Sequence, residues 1–124
     1  MINISAIELA IQDLRSTLRE GLIATDIWEK DTGLSLASFN SQPVAVALFT
    51  RITTELEASL ADSKFPALAR YYLLDMEGNH TVVVINHGSL LQGILVNNKV
   101  ANLGLLISVA IPRMIDAVTR AGNQ

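Results

Sequence analysis

Residues 22–61 read LIATDIWEKDTGLSLASFNSQPVAVALFTRITTELEASLA, two apolar strand-like segments followed at once by a long helical pattern. Leu22 to Trp28 and Leu34 to Phe39 flank Glu29-Lys30-Asp31-Thr32-Gly33, a polar link whose glycine can take positive φ, as hairpin loops of this length require. Ser41 is placed to cap the helix behind them, and Pro43 falls in its first turn, where a missing N–H does no harm. The helix is read from Pro43 to Ala61, fraying near Asp62 to Lys64, with Phe65-Pro66-Ala67 as a short extended connection. A hairpin that feeds directly into a helix, ahead of further strands, admits few topologies.

Upstream, Ser5-Ala6-Ile7-Glu8 reads as a capping box, with the Ser5 hydroxyl on the Glu8 N–H and the Glu8 carboxylate on the Ser5 N–H. Ile7, Ile11, Leu14 and Leu18 then recur at helical spacing, and Gly21 reads as a left-handed stop after Glu20. Downstream, Arg70 to Met76, Thr81 to His87 and Leu90 to Asn97 form a meander of three strands. Gly88-Ser89 suits a type II′ turn between the last two. In Thr81 to His87, Val82 and Val84 alternate with Val83 and Ile85, so that strand is apolar on both faces and should have helices above and below. A last helix, Lys99 to Arg120, is expected to be capped by Asn97 or Asn98 and to bury Leu103, Leu106, Ile107, Ala110, Ile111, Met114, Ile115 and Val118. Pro112 should kink it.

The order α-β-β-α-β-β-β-α predicts an α+β fold of three layers, α/β/α, and the 124 residues fit one domain, 1–124. Half the residues are hydrophobic and 17% are charged, enough to build a real core and too apolar for disorder. The net charge of −3, without a Lys/Arg cluster, excludes a phosphate-backbone footprint, so no nucleic acid is expected. Cysteine is absent, which removes disulfides and thiolate chemistry and makes the cytoplasm the default compartment. Glu8, Gln12, Asp13 and Arg15 interrupt the N-terminal segment, so it is no signal peptide. The longest apolar run, Val100 to Ile111, would span about 18 Å as a helix against a hydrocarbon core of about 30 Å, so no membrane insertion is expected.

Catalytic patterns are missing. His80 and His87, at the ends of one extended strand, would lie about 23 Å apart and cannot share a metal. Asp75, Glu77 and His80 crowd one turn and Asp26, Glu29 and Asp31 another, yet both groups read as solvated loops rather than cation sites. Ser89 beside His87 has no nucleophile elbow around it, and the glycines match neither phosphate-binding template. The lone Trp28 reads as packing at a strand end. The expectation is no enzyme, no catalytic residue, no metal and no cofactor.

The second helix carries a different signal. At 100° per residue, Val44, Ala45, Val46, Leu48, Phe49, Ile52, Leu56 and Leu60 fill an arc of roughly 200°, wider than one-sided burial on a sheet requires. The segment Arg70, Tyr71, Tyr72, Leu73 and Leu74 opens the meander and should form an apolar sheet edge with little to guard it. Both features point to self-association, with Val44, Ala45, Leu48, Phe49, Ile52 and Leu56 meeting their copies and the Arg70–Leu74 edge pairing with its own.

Gly21-Leu22-Ile23-Ala24-Thr25-Asp26 through Gly33-Leu34-Ser35-Leu36-Ala37-Ser38, together with Thr81-Val82-Val83-Val84-Ile85 and Leu91-Gln92-Gly93-Ile94-Leu95-Val96, resembles the Roadblock/LC7 (dynein light chain roadblock-type) domain family over nearly the whole chain. The wider profilin-like outline is shared. The resemblance implies a five-stranded antiparallel sheet with the second helix on one face and the first and last on the other. It also implies homodimers built on the second helix and third strand, and partnership with a small Ras-like GTPase. The expected function is a non-catalytic homodimeric interaction module, a regulator or scaffold for such a GTPase. The alternative is a profilin-like sensory domain holding a small molecule between the sheet and the last helix.

Overall fold

In the computed structural model, which describes residues 2–122, the elements run α1 (Ile4–Leu18), β1 (Leu22–Glu29), β2 (Ser35–Phe39), α2 (Pro43–Asp62), β3 (Tyr71–Met76), β4 (His80–Asn86), β5 (Leu90–Asn97), α3 (Leu103–Leu105), a π-helical turn (Leu106–Ala110) and α4 (Ile111–Gly122). The strands form one antiparallel sheet in the order β2-β1-β5-β4-β3. The expected three-layer α+β architecture is therefore observed. β5 lies in the middle, and β3 and β2 are its two edges.

The alternation read in β4 sorts the core into two layers. Val83 and Ile85 join Ile7, Ile11 and Leu14 of α1 and Leu106, Ile111 and Met114 of the C-terminal segment. Val82 and Val84 face the other way, with Trp28, Leu91 and the α2 residues Val46 and Phe49. A bulge between Leu22 and Ala24 in the β1–β5 ladder shifts the pleat, which lets Leu22 share the α1 face with Ile27. Gly33 and Gly88 take positive φ in the two tight connections, as their positions in the sequence require, and the His87 N–H donates to the Leu90 carbonyl to close the second.

Element ends differ from expectation for local reasons. Asn3, not Ser5, caps α1: its Oδ1 accepts from the Ala6 N–H at 3.1 Å, which places Ser5 inside the first turn. Gly21 is not the left-handed stop. Arg19 ends the helix instead, at φ 52° and ψ −128°, outside the left-handed helical region, while a Cβ on Gly21 would come within 2.6 Å of the Ala101 Cβ. Glycine is needed there for space. Ser41 does not cap α2 either, because its hydroxyl donates to Asp26 and Gln42 is the N-cap residue. The C-terminus of α2 does not fray: Lys64 N–H donates to the Ala61 carbonyl and Phe65 N–H to the Leu60 carbonyl, with Lys64 left-handed at φ 58°, a Schellman closure.

The single helix expected from Lys99 is instead broken. Asn97 and Asn98 are used in the preceding turn, where Asn97 Oδ1 accepts from the Lys99 N–H and Asn98 Oδ1 from the Thr81 hydroxyl. Asn102 does the capping, through its Oδ1 and the Leu105 N–H at 3.1 Å. The π-helical turn follows, with the Ile111 N–H bonded to the Leu106 carbonyl five residues back. Pro112 consequently sits in the first turn of α4, where its missing N–H and its ring are tolerated. The extra residue in that turn also rotates the face: Leu103 and Ile107 are 39% and 41% exposed rather than buried, while Leu106, Ala110, Ile111, Met114 and Val118 are core. No helix among the described residues is long and apolar enough to cross a membrane.

Candidate interaction surface

The site begins with how α2 is held. Asp26, 4% exposed on the α2 side of β1, accepts at Oδ1 from the Ser41 hydroxyl at 2.7 Å and the Ser35 hydroxyl at 3.3 Å, and at Oδ2 from the Gln42 N–H at 2.9 Å. One carboxylate thus ties the start of α2 to both strands of the first hairpin. Farther along, the Trp28 indole N–H donates to Thr50 Oγ1 at 2.8 Å, and Lys30 pairs with Glu57 at 2.8 Å. Trp28 is 1% exposed, so it is packing, as the sequence suggested. These contacts fix one flank of α2 over β1.

Phe49 and Val46, each 7% exposed, and fully buried Thr53 form the underside of the helix. Thr53 Oγ1 lies 2.8 Å from the Tyr72 hydroxyl of β3, joining α2 to the sheet edge. Burial pushes the Tyr72 phenol above its ordinary value; the Thr53 hydrogen bond opposes this and the Glu57 charge adds to it.

The wide apolar arc therefore divides. Phe49 and Val46 face inward, whereas Ala45, Ile52 and Leu56 are half-buried on the flank away from β1, and Leu48 and Val44 are 40% and 83% exposed. At about 100° per residue, Ala45, Ile52 and Leu56 lie roughly 100–160° around the helix from Thr50 and Glu57, across the Phe49 and Thr53 underside and so on the flank away from β1. There, among the described residues, β3 pairs with β4 alone. Tyr71 and Leu73 pack toward the α1 layer, Tyr72 and Leu74 toward α2, and all four are half-buried. Arg70 precedes the strand, exposed, with its carbonyl accepting from the Asn86 N–H. Of the residues named from sequence, Ala45 and Ile52 pack with Tyr72 and Leu74 against the α2 layer of the core, Phe49 is turned into it, and Val44 and Leu48 are exposed.

The signal missed in the sequence was Asp26, set aside as a loop carboxylate although it lies within a strand and is buried. Among the described residues no group of three or more His, Asp or Glu side chains is arranged to hold a metal ion. The space between the sheet and the last helices, where the alternative reading put a ligand, is filled by Leu106, Ile111 and Met114, each no more than 1% exposed. A cavity of about 70 Å³ lies under α2 among Ala24, Trp28, Phe49 and Val82. His87 is held by a polar chain instead: its Nε2–H donates to Gln92 Oε1 at 2.9 Å, and Gln92 Nε2 donates to Thr25 Oγ1 at 3.1 Å.

No family model matches the sequence, and no curated protein does. Solved structures match closely in shape. MglB of Myxococcus xanthus superposes with a TM-score of 0.81 at 12% identity, over 97% of this chain and 90% of that one. The gliding protein MglB of Thermus thermophilus gives 0.75 at 16% identity, over 96% and 92%. A Roadblock/LC7 domain from Streptomyces avermitilis gives 0.71 at 11% identity, over 94% and 98%. At such identities the shared property is the fold. The chain has the Roadblock/LC7 fold, an antiparallel sheet held between α2 on one side and α1 and α4 on the other.

Proposed function

We propose that this chain is a single-domain, cytoplasmic, non-catalytic module that pairs with its own copy and regulates, or serves as a scaffold for, a small Ras-like GTPase. The observation that carries the reading is the apolar flank of α2, Ala45, Leu48, Ile52 and Leu56 with Val44 beyond them, lying beside an open sheet edge at β3. Exposed apolar surface next to unpaired strand donors and acceptors is the combination that a second copy satisfies on both counts, by helix packing and by strand pairing. The likeness to MglB structures, one of them a gliding protein, supports the regulatory half together with the family resemblance in the sequence. A regulator of this kind acts by positioning the GTPase's own groups, which suits a surface without a nucleophile, base or metal set of its own.

Sedimentation equilibrium at micromolar concentration tests the first half, with dimer expected and monomer alone overturning it. Affinity capture from the source cells in GDP and in a non-hydrolysable GTP analogue tests the second. A Ras-like GTPase retained in one nucleotide state supports regulation, and retention of none in either state removes it.

A further inference from the structure

The sheet's other edge carries a separate feature. Between the C-terminal half of α1 and β2 runs an open groove of about 560 Å³, with Arg15, Ser16, Arg19 and Glu20 along one wall and Leu22 and Phe39 on the other. The Arg15 guanidinium carbon lies 4.0 Å from the centroid of the Phe39 ring, a cation–π contact, and among the described residues the guanidinium N–H donors have no hydrogen-bond partner. Lys30, Arg51, Arg113 and Arg120 are each paired with a carboxylate. Among the described residues, none lies within ion-pairing distance of Arg15 or Arg19. On a chain of net charge −3, two unpaired arginines in one groove form a local reversal of sign.

Arg19 is held there at a backbone cost. Its φ of 52° with ψ of −128° is a conformation left almost entirely to glycine, yet its N–H still donates to the Arg15 carbonyl to close α1. Beside the groove, β2 pairs among the described residues with β1 alone, so its outer edge offers backbone donors and acceptors that no described strand takes.

From these features together we infer that the groove is a docking site for an acidic, extended segment of a partner protein, added as a strand along β2 with its carboxylates forked by Arg15 and Arg19. Strand addition supplies main-chain hydrogen bonds, and the two arginines supply selectivity for acidic side chains at alternate positions. Charge complementarity and the open edge favour a peptide. A free phosphate would use the arginines, leave the edge unsatisfied, and meet Glu20 at the end of the groove.

The test uses the full chain and a fluorescein-labelled peptide of about twelve residues alternating glutamate with valine and threonine, a length that spans one ordinary strand with overhang. Anisotropy should show binding that weakens with added salt, and about tenfold or greater loss when glutamine replaces glutamate or when Arg15→Gln is introduced. Arg19→Gln, which keeps the strained residue non-glycine, should weaken binding too. Backbone amide shifts on adding peptide should centre on β2 and the end of α1. Equal binding of the glutamine peptide, or wild-type affinity in Arg15→Gln, overturns the proposal. So does inorganic phosphate shifting these amides while the peptide does not. Peptide binding is read independently of GTPase capture and of the dimer, so its failure leaves the reading of the α2 and β3 surface standing.

Discussion

Gly21 and Ala101 meet so closely that a Cβ built on the glycine would lie 2.6 Å from the alanine's Cβ and 2.8 Å from its Cα. The contact brings the end of α1 against the turn that leads into α3, two segments far apart in sequence. Gly21→Ala should lower unfolding free energy by about 1–3 kcal/mol, the usual range for overpacking, because the obstruction is backbone and cannot swing away. Urea denaturation gives the comparison, with Gly122→Ala, where nothing stands within 4 Å, as the control. Equal midpoints for the two variants would refute the account.

Asp26→Ala should destabilise the fold by about 2–4 kcal/mol, since it removes the acceptor of the Ser35 and Ser41 hydroxyls and of the Gln42 N–H in a buried place. Amide exchange in the first turn of α2 should accelerate more than in α1. Uniform acceleration would show that Asp26 is not a local anchor.

His87 predicts a pH dependence. Burial pushes its imidazole below the ordinary value of 6.5, against the opposing effect of the Gln92 hydrogen bond. With Nε2–H donated to Gln92, the buried Nδ1 has no partner among the described residues, so a proton added there gains no acceptor from them. The unfolded chain binds this proton more readily than the folded one, so stability is full above about 6.5 and falls as pH drops from there toward the lower folded value. Urea midpoints between pH 5 and 7.5 should show this slope, and His87→Gln should flatten it. An unchanged slope in the variant would assign the effect elsewhere.

Leu48→Asp places a charge at a 40% exposed position on the apolar flank of α2. The monomer's stability should change little, within about 0.5 kcal/mol, whereas self-association should weaken by tenfold or more. Sedimentation with circular dichroism separates the two effects. Tyr72→Phe should act in the opposite sense, lowering stability by about 1 kcal/mol through the lost hydrogen bond to Thr53.

Arg19→Gly should raise stability by about 1–2 kcal/mol, because glycine occupies φ 52°, ψ −128° without the steric penalty that arginine bears. Thermal unfolding checks it. A lower midpoint would mean that the arginine side chain stabilises the monomer by contacts that outweigh its strain.

The layer structure was legible because β4 is apolar on both faces and the loops at Gly33 and Gly88 announce their own geometry. The apolar flank of α2, on which the proposed self-association rests, was legible as an excess of apolar residues, because periodicity records total burial. It does not record which residues a helix spends on its own sheet, so Phe49 and Leu48 looked alike. Helix ends were harder. Asn3 and Ser5 are both good caps, and the choice falls to tertiary contacts, as with the Asn3 N–H bonded to the Ala121 carbonyl. The function of Gly21 depends on Ala101, and that of Asp26 on Ser41 and Gln42 folding over it. The groove at Arg15 joins helix α1 to Phe39 on β2, a neighbourhood created only when the first hairpin folds back against the helix.

The sheet's two unpaired edges sit at opposite ends of a single row of strands. If β3 is joined to its copy, the row doubles and a β2 edge is left at each extremity, related by the twofold axis. Each assembled pair is then divalent. A partner carrying two acidic segments, or itself arrayed in copies, would be held by avidity: the second attachment becomes intramolecular, and modest single-site affinity becomes long residence. Valency, fixed by which edges remain open, is thus a property of the strand order β2-β1-β5-β4-β3 itself.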